Sequence, residues 1–213
     1  MLRSKLMTAV YDSGGGGVAY DPLGDDFVLV VDTTLPGASK TVEIPFNGSH
    51  SVTVDWGDGT TETLSGFGDI THTYASDGEY TVVVSGTAYQ WTYGDKYAWK
   101  KCLAIGKIVY SGARLIIDRQ FARAYNMTSA PYVIPSGVGS AEYAFVDCSS
   151  LTSGLVGWDV SSCSSMYSML SGTTVFDKDL SGWCVQNISS EPMNFAANSA
   201  LSSEHKPVWG TCP

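Results

Sequence analysis

The sequence predicts a mainly β protein: a β-sandwich in the first half, then a short solenoid of repeats with short helices in the second. Two observations predict this. Between residues 25 and 88, β-branched and aromatic runs alternate with period two and are separated by Gly- and Asp-rich turns. From about residue 105 onward, apolar residues recur at a 25-residue interval, the mark of units that bury their faces only by stacking.

Residues 1–24 read as an N-terminal arm centred on four consecutive glycines, Gly14 to Gly17. With no GK[ST] behind them they make no phosphate loop, so a hinge or an arm that orders against a neighbour is expected.

Residues 25–88 supply the strands. "FVLVVDTT" is a β-branched run, and Val42, Ile44 and Phe46 alternate in the next segment. Val52, Val54 and Trp56 alternate before the chain turns at Gly57-Asp58-Gly59, and Tyr80, Val82 and Val84 are in phase at the end. Trp56-Gly57-Asp58-Gly59, His72-Thr73-Tyr74 and Gly78-Glu79-Tyr80-Thr81-Val82 occur in order. Together they resemble the signature of a PKD-type domain. That resemblance implies an immunoglobulin-like β-sandwich acting as an adhesive or spacer module without catalysis.

Residues 89–104 are read as an aromatic and basic linker or cap. Tyr89, Trp91 and Tyr93 alternate, and Tyr97 and Trp99 follow. They either cover the first repeat or form a sugar- or protein-binding surface, with Trp91, Tyr93, Tyr97 and Trp99 as the candidate interface.

Residues 105–213 hold the repeats and a C-terminal cap. Gly157-Trp158-x-Val160 returns as Gly182-Trp183-x-Val185, and Leu170 pairs with Phe195 and Phe176 with Leu201 at the same interval. Val133, Val138, Ala141, Phe145 and Leu151 mark an earlier copy; Ile108, Tyr110, Ala113, Ile116 and Phe121 mark a degraded one. Trp158 and Val160 share one side of an expected short strand. Met166, Met169 and Leu170, at i, i+3, i+4, share one face of an expected short helix. The stretch from Leu155 to Trp183 resembles the bacterial surface-protein repeat grouped with BspA-like leucine-rich repeats. The recurrence and the spacing within one repeat assign Trp158, Val160, Met166, Leu170, Phe176, Trp183, Val185 and Phe195 to the repeat core.

Charge and cysteines narrow the function classes. The net charge of −9 lies wholly in residues 1–88, which hold 12 acidic and three basic side chains. That opposes nucleic-acid binding there. Lys96, Lys100, Lys101, Lys107, Arg114, Arg119 and Arg123 follow, read as either a solvated face or a dock for an acidic protein surface. No apolar run is long enough to cross a bilayer. The opening residues are too interrupted for a secretory signal, so a complete chain is expected not to leave by that route. Sequons at Asn47, Asn126 and Asn187 carry weight only on secretion. The five cysteines, Cys102, Cys148, Cys163, Cys184 and Cys212, form no CxxC pair, so free buried thiols are expected.

Asp55 and Asp58, with Glu62 and Asp77 nearby, are the candidate calcium ligands, although Gly-Asp-Gly is also what a tight turn demands. No catalytic motif is present, and His72 falls inside the PKD-like signature. The expectation is a non-enzymatic protein with no cofactor: a structural or adhesive component of a bacteriophage virion. Capsid decoration, head fibre and tail or fibre component are the options within that class. Its partners would be capsid or tail subunits, further copies of itself, and a host-surface glycan or protein, with no nucleic acid and no membrane insertion. The alternatives are a bacterial cell-surface adhesin, a carbohydrate-binding module and a glycan hydrolase.

Overall fold

The computed structural model describes residues 26–46, 48–89, 97–104, 115–131 and 134–213. The N-terminal arm, Asn47, Trp91, Tyr93, Lys96, Lys107, Ile108, Tyr110, Ala113, Arg114 and Val133 lie outside the described residues, as do the side chains of Cys102 and Ile116.

The chain is mainly β. Strands β1 (Phe27–Asp32), β3 (Ser49–Asp55), β4 (Thr61–Phe67), β6 (Glu79–Ala88) and β7 (Trp99–Ala104) form one sheet in the order β4-β3-β6-β1-β7. All its pairings are antiparallel. Strands β2 (Thr41–Ile44) and β5 (Ile70–Thr73) form a second antiparallel pair. Two short strands, β8 (Leu115–Ile116) and β9 (Val138–Ser140), pair in parallel.

Alternation sets what each strand buries. In β3, His50, Val52 and Val54 point inward while Ser49, Ser51 and Asp55 face solvent. Leu29 and Val31 of β1, Val52 and Val54 of β3 and Val82 of β6 share one apolar cluster with Val42, Ile44 and Ile70 of the small sheet. Val28 and Val30, on the other face of β1, pack with Val83, so β1 is buried throughout. Each such aliphatic side chain contributes roughly 1.5–3 kcal/mol when fully removed from water.

Strand β7 belongs to two structures at once. On one side it pairs with β1, aligning Leu29 with Cys102 and Val30 with Lys101. On the other, Lys101 bridges Ser129 in parallel, and Ser129 bridges Ser153. The segment read as a linker or cap thus ends as the fifth strand of the sheet and the first rung of the stack beyond it.

The repeats contain no α-helix among the described residues, which corrects the expectation at Met166, Met169 and Leu170. The one helical element there is a 3-10 turn, Ser203–His205. The backbone explains the absence. Non-glycine residues with positive φ recur as Arg119, Tyr143, Ser168 and Asn194, at intervals of 24, 25 and 26 residues. A second set, Arg123, Asp147, Gly172 and Asn198, recurs four residues on. Amides then divide by parity. Ala144, Val146 and Cys148 donate back to Ala141, Tyr143 and Phe145, closing successive turns, whereas Tyr143, Phe145 and Asp147 donate to Tyr167, Met169 and Ser171 of the next repeat. Half the amides are diverted sideways, so the i→i−4 ladder of a helix never forms.

The expected short strand at Trp158 and Val160 is likewise absent; Trp158 closes a turn onto Leu155. Both side chains are buried all the same. The 25-residue pairing of Leu170 with Phe195 slips by one, because the left-handed Ser168 aligns with Asn194, which puts Phe195 at the place of Met169. Cys184 and Cys212 are joined by a disulfide, which corrects the expectation of free thiols there, while Cys148 and Cys163 are free and buried. The two bonded cysteines lie 28 residues apart, and stacking of the last repeat on its predecessor brings them together.

Candidate functional site

The Gly57-Asp58-Gly59 turn joins β3 to β4, and the signature residues converge on it. Trp56 is fully buried, and its ring stacks on His72 of β5 at 4.7 Å and 13°. His72 Nε2 lies 2.8 Å from Asp58 Oδ2. The other oxygen of Asp58 accepts the Thr60 amide at 3.0 Å and the Thr60 hydroxyl at 2.6 Å. The Thr60 hydroxyl, with His72 adding and burial opposing, holds the Asp58 carboxyl down at about 2. Tyr74 donates its hydroxyl to the Trp56 carbonyl at 2.9 Å and stacks on Tyr80 at 3.7 Å. Burial, with nearby Asp58 adding, pushes the Tyr74 phenol well up, so it remains a donor.

The two turn glycines have distinct reasons. Gly57 adopts φ 78°, and a Cβ there would sit 2.5 Å from the Thr81 carbonyl oxygen, so β6 fills the space. Gly59 adopts φ 92° with open space around it, so only backbone conformation requires glycine. Gly78, which opens the last signature segment, exchanges bonds with Thr33: its amide donates to Oγ1 at 2.9 Å, and the Thr33 amide donates to its carbonyl at 2.9 Å.

The candidate calcium ligands are engaged in this knot. Asp55 Oδ1 accepts the Gly57 amide at 2.9 Å, and Trp56 Nε1 donates to Glu62 Oε2 at 3.4 Å. Among the described residues no group of three or more His, Cys, Asp or Glu is placed to hold a metal ion. The geometry brings Asp58, Trp56, His72, Tyr74 and Tyr80 together as one interlocked turn.

Of the candidate interface aromatics, Trp99 is buried in β7 against Phe121 and Tyr97 is 40% exposed. Both line a cleft of about 200 Å³ with Ser39, Thr41 and Glu43. Asn126 fastens the repeats beside it, its Nδ2 donating to the carbonyls of Pro36 at 3.0 Å and Tyr97 at 2.7 Å. The basic run is partly absorbed: Lys100 contacts both Asp32, at 3.4 Å, and Glu79. Asp32 and Glu79 sit directly opposite in the β1–β6 register, a repulsive arrangement that the lysine relieves. Arg119 lies over the Tyr143 ring at 4.7 Å.

The repeat core residues Trp158, Val160, Met166, Leu170, Phe176, Trp183, Val185 and Phe195 are all buried. Each repeat tryptophan also donates to the repeat before it, Trp158 to the Pro131 carbonyl at 2.8 Å and Trp183 to that of Leu155 at 3.0 Å. Hydroxyls do the same: Thr152 donates to Thr128 at 3.0 Å, Ser164 to Gly139 at 3.1 Å and Thr174 to Ser149 at 3.2 Å. The Ser and Thr content therefore serves stacking as well as surface. At the C-terminal end, Asp177 Oδ1 accepts from Ser202 and lies 2.8 Å from His205 Nδ1. The sequence reading missed this pair and the Lys100 triad. The first spans 28 residues rather than one repeat interval, and the second depends on the β1–β6 register, so neither had a signal in the sequence.

Residues 134–209 match the family model described as "Mycoplasma protein of unknown function, DUF285". The match covers about a third of the chain and, with the mainly β structure, fits a BspA-like repeat. Neither a curated protein nor a solved structure matched the chain.

Proposed function

We propose that the chain is a non-enzymatic structural and adhesive protein of a bacteriophage virion: a capsid decoration, head-fibre, or tail or fibre component. In this reading it docks by its N-terminal region and displays an immunoglobulin-like, PKD-type sandwich and a leucine-rich-type solenoid outward. The observation that carries the reading is the hydrogen-bonded continuity from β1 through β7 to the repeats, in which Lys101, Ser129 and Ser153 form one parallel column. Stacking of this kind makes a stiff support with an extended surface, the form repeat proteins use for binding. The Cys184–Cys212 bond supports a surface destination, since disulfides persist on virions and cell surfaces rather than in reducing cytoplasm. The partners would be capsid or tail subunits and further copies of the chain. Mass spectrometry and immunogold labelling of purified virions test the reading; recovery from cell envelopes alone overturns it.

A second reading, a bacterial surface adhesin or carbohydrate-binding module, is favoured by two observations: the BspA-like repeat and the cleft that sets the Tyr97 ring beside Glu43, Ser39 and Thr41. Retention on a glycan array that is lost in Tyr97→Ala would select it.

A further inference from the structure

The five-stranded sheet has two very different edges. At one, β7 is continued by the repeats through the Lys101–Ser129 bridge. At the other, β4 has a neighbouring strand on one side only among the described residues. Six of its seven residues are exposed, Leu64 being half-buried, and Phe67 at its end is 84% exposed. Soluble proteins guard such edges with lysine, proline or a bulge. β4, Thr61-Glu62-Thr63-Leu64-Ser65-Gly66-Phe67, has neither residue type; its one charged side chain, Glu62, accepts from Trp56 Nε1 at 3.4 Å, and its seven pairs with β3 run without a register shift.

The hydrogen-bond phase of this edge follows from its ends. Trp56 donates to the Thr60 carbonyl and Gly68 donates to the Gly48 carbonyl, so the even-numbered residues of this strand bond to β3. Antiparallel ladders alternate, so Thr61, Thr63, Ser65 and Phe67 turn their amides and carbonyls away from β3.

We propose that β4 is a self-pairing edge: two copies of the chain join antiparallel about a twofold axis through Leu64, making one continuous ten-stranded sheet from two five-stranded ones. In that register Thr61 faces Phe67 of the second copy and Thr63 faces Ser65, so outward-directed amides meet outward-directed carbonyls in about eight main-chain bonds. Glu62 falls opposite Gly66, so no like charges meet, whereas centring the axis on Glu62 would oppose two carboxylates. Leu64 meets its own copy and extends the apolar cluster on which it already packs. The edge is thus complementary to itself in hydrogen bonding, charge and apolar character, as an isologous contact requires. The pairing deepens the homo-oligomer element of the proposed function, and its geometry holds for either surface reading.

Sedimentation of the full chain at micromolar concentration is expected to show a dimer. Thr63→Pro removes an outward amide while sparing every main-chain bond to β3, and should raise the dimer dissociation constant at least tenfold. The double variant Thr63→Lys/Ser65→Lys sets lysine opposite lysine twice at solvent-exposed positions and should do the same; circular dichroism checks that both remain folded. Leu64→Cys should give a disulfide-linked dimer on mild oxidation, because non-hydrogen-bonded partners lie about 4.5 Å apart at Cα, within disulfide reach. Glu62→Cys and the parent chain should not. A monomeric parent, a dimer untouched by the edge variants, or stronger crosslinking through Glu62→Cys overturns the pairing. A monomer that is nevertheless found on virions overturns the pairing alone and leaves the proposed function standing.

Discussion

Trp183 donates its indole N–H to the Leu155 carbonyl, 28 residues earlier, at 3.0 Å, repeating the bond that Trp158 makes to Pro131 at 2.8 Å. One side chain thus fills its own repeat and satisfies a buried carbonyl of the preceding one.

Trp183→Phe keeps much of the apolar volume but leaves that carbonyl with the Trp158 amide as its remaining donor. A loss of about 0.5–1.5 kcal/mol in stability is expected from the lost hydrogen bond. Denaturant unfolding measures it; a loss below that range would mean that the bond contributes little to stacking.

At the Gly57-Asp58-Gly59 turn, the two glycines should respond unequally. Gly59→Ala meets open space and incurs only backbone strain, of order 1 kcal/mol. Gly57→Ala adds a collision with the Thr81 carbonyl and should be the more damaging by at least about 1 kcal/mol. Thermal melts of both variants side by side give the ranking.

Calcium should leave the melting temperature unchanged. Asp58 and Asp55 already accept hydrogen bonds from Thr60, His72 and Gly57, so binding calcium would mean breaking the turn. Titration with a thermal-shift readout checks this, and a rise that disappears in Asp58→Asn would reverse it.

The Asp177–His205 contact gives the C-terminal end a defined pH window. Hydrogen bonds from the Ser202 amide, His205 and the Ser202 hydroxyl hold the Asp177 carboxyl down at about 2. Its contribution is present above the ordinary carboxylate range and is lost as pH falls toward that value. The Asp177 hydrogen bond raises His205, whose contribution is full below the ordinary histidine range and is lost as pH rises through its raised value. The pair therefore supports the end of the stack best between about pH 4 and 6.5. Leu180 donates its amide to the His205 carbonyl at 2.8 Å, so hydrogen-exchange protection at Leu180, taken relative to the intrinsic rate at each pH, should be greatest in that window. Asp177→Asn should flatten the dependence, and salt should weaken it because both groups are exposed.

Reducing the Cys184–Cys212 bond should cost about 2–4 kcal/mol, the range for closing a loop of this size. Cys212→Ser should show the same loss of melting temperature without reductant. Burial pushes the Cys163 thiol up to about 11 and the Cys148 thiol further. Both should therefore resist thiol reagents in the native chain and react only on unfolding.

The sequence alone determined what local periodicity can determine. Alternation of Val52, Val54 and Trp56 placed them inward, and the 25-residue recurrence picked out buried residues from Phe145 to Phe195. Both follow from where consecutive side chains point, and neither needs a distant partner. The tertiary structure decided the rest, because its determinants lie a repeat or more away in the chain. Spacing at i, i+3, i+4 fits a helix and a run of turns equally well; amides such as Phe145, committed to the Met169 carbonyl of the next repeat, select the turns. Cys184 and Cys212 show no motif in sequence, and only stacking across 28 residues brings their sulfurs together. The edge position of β4 among the described strands is likewise a property of strand order, since Thr61–Phe67 would read the same at the centre of a sheet.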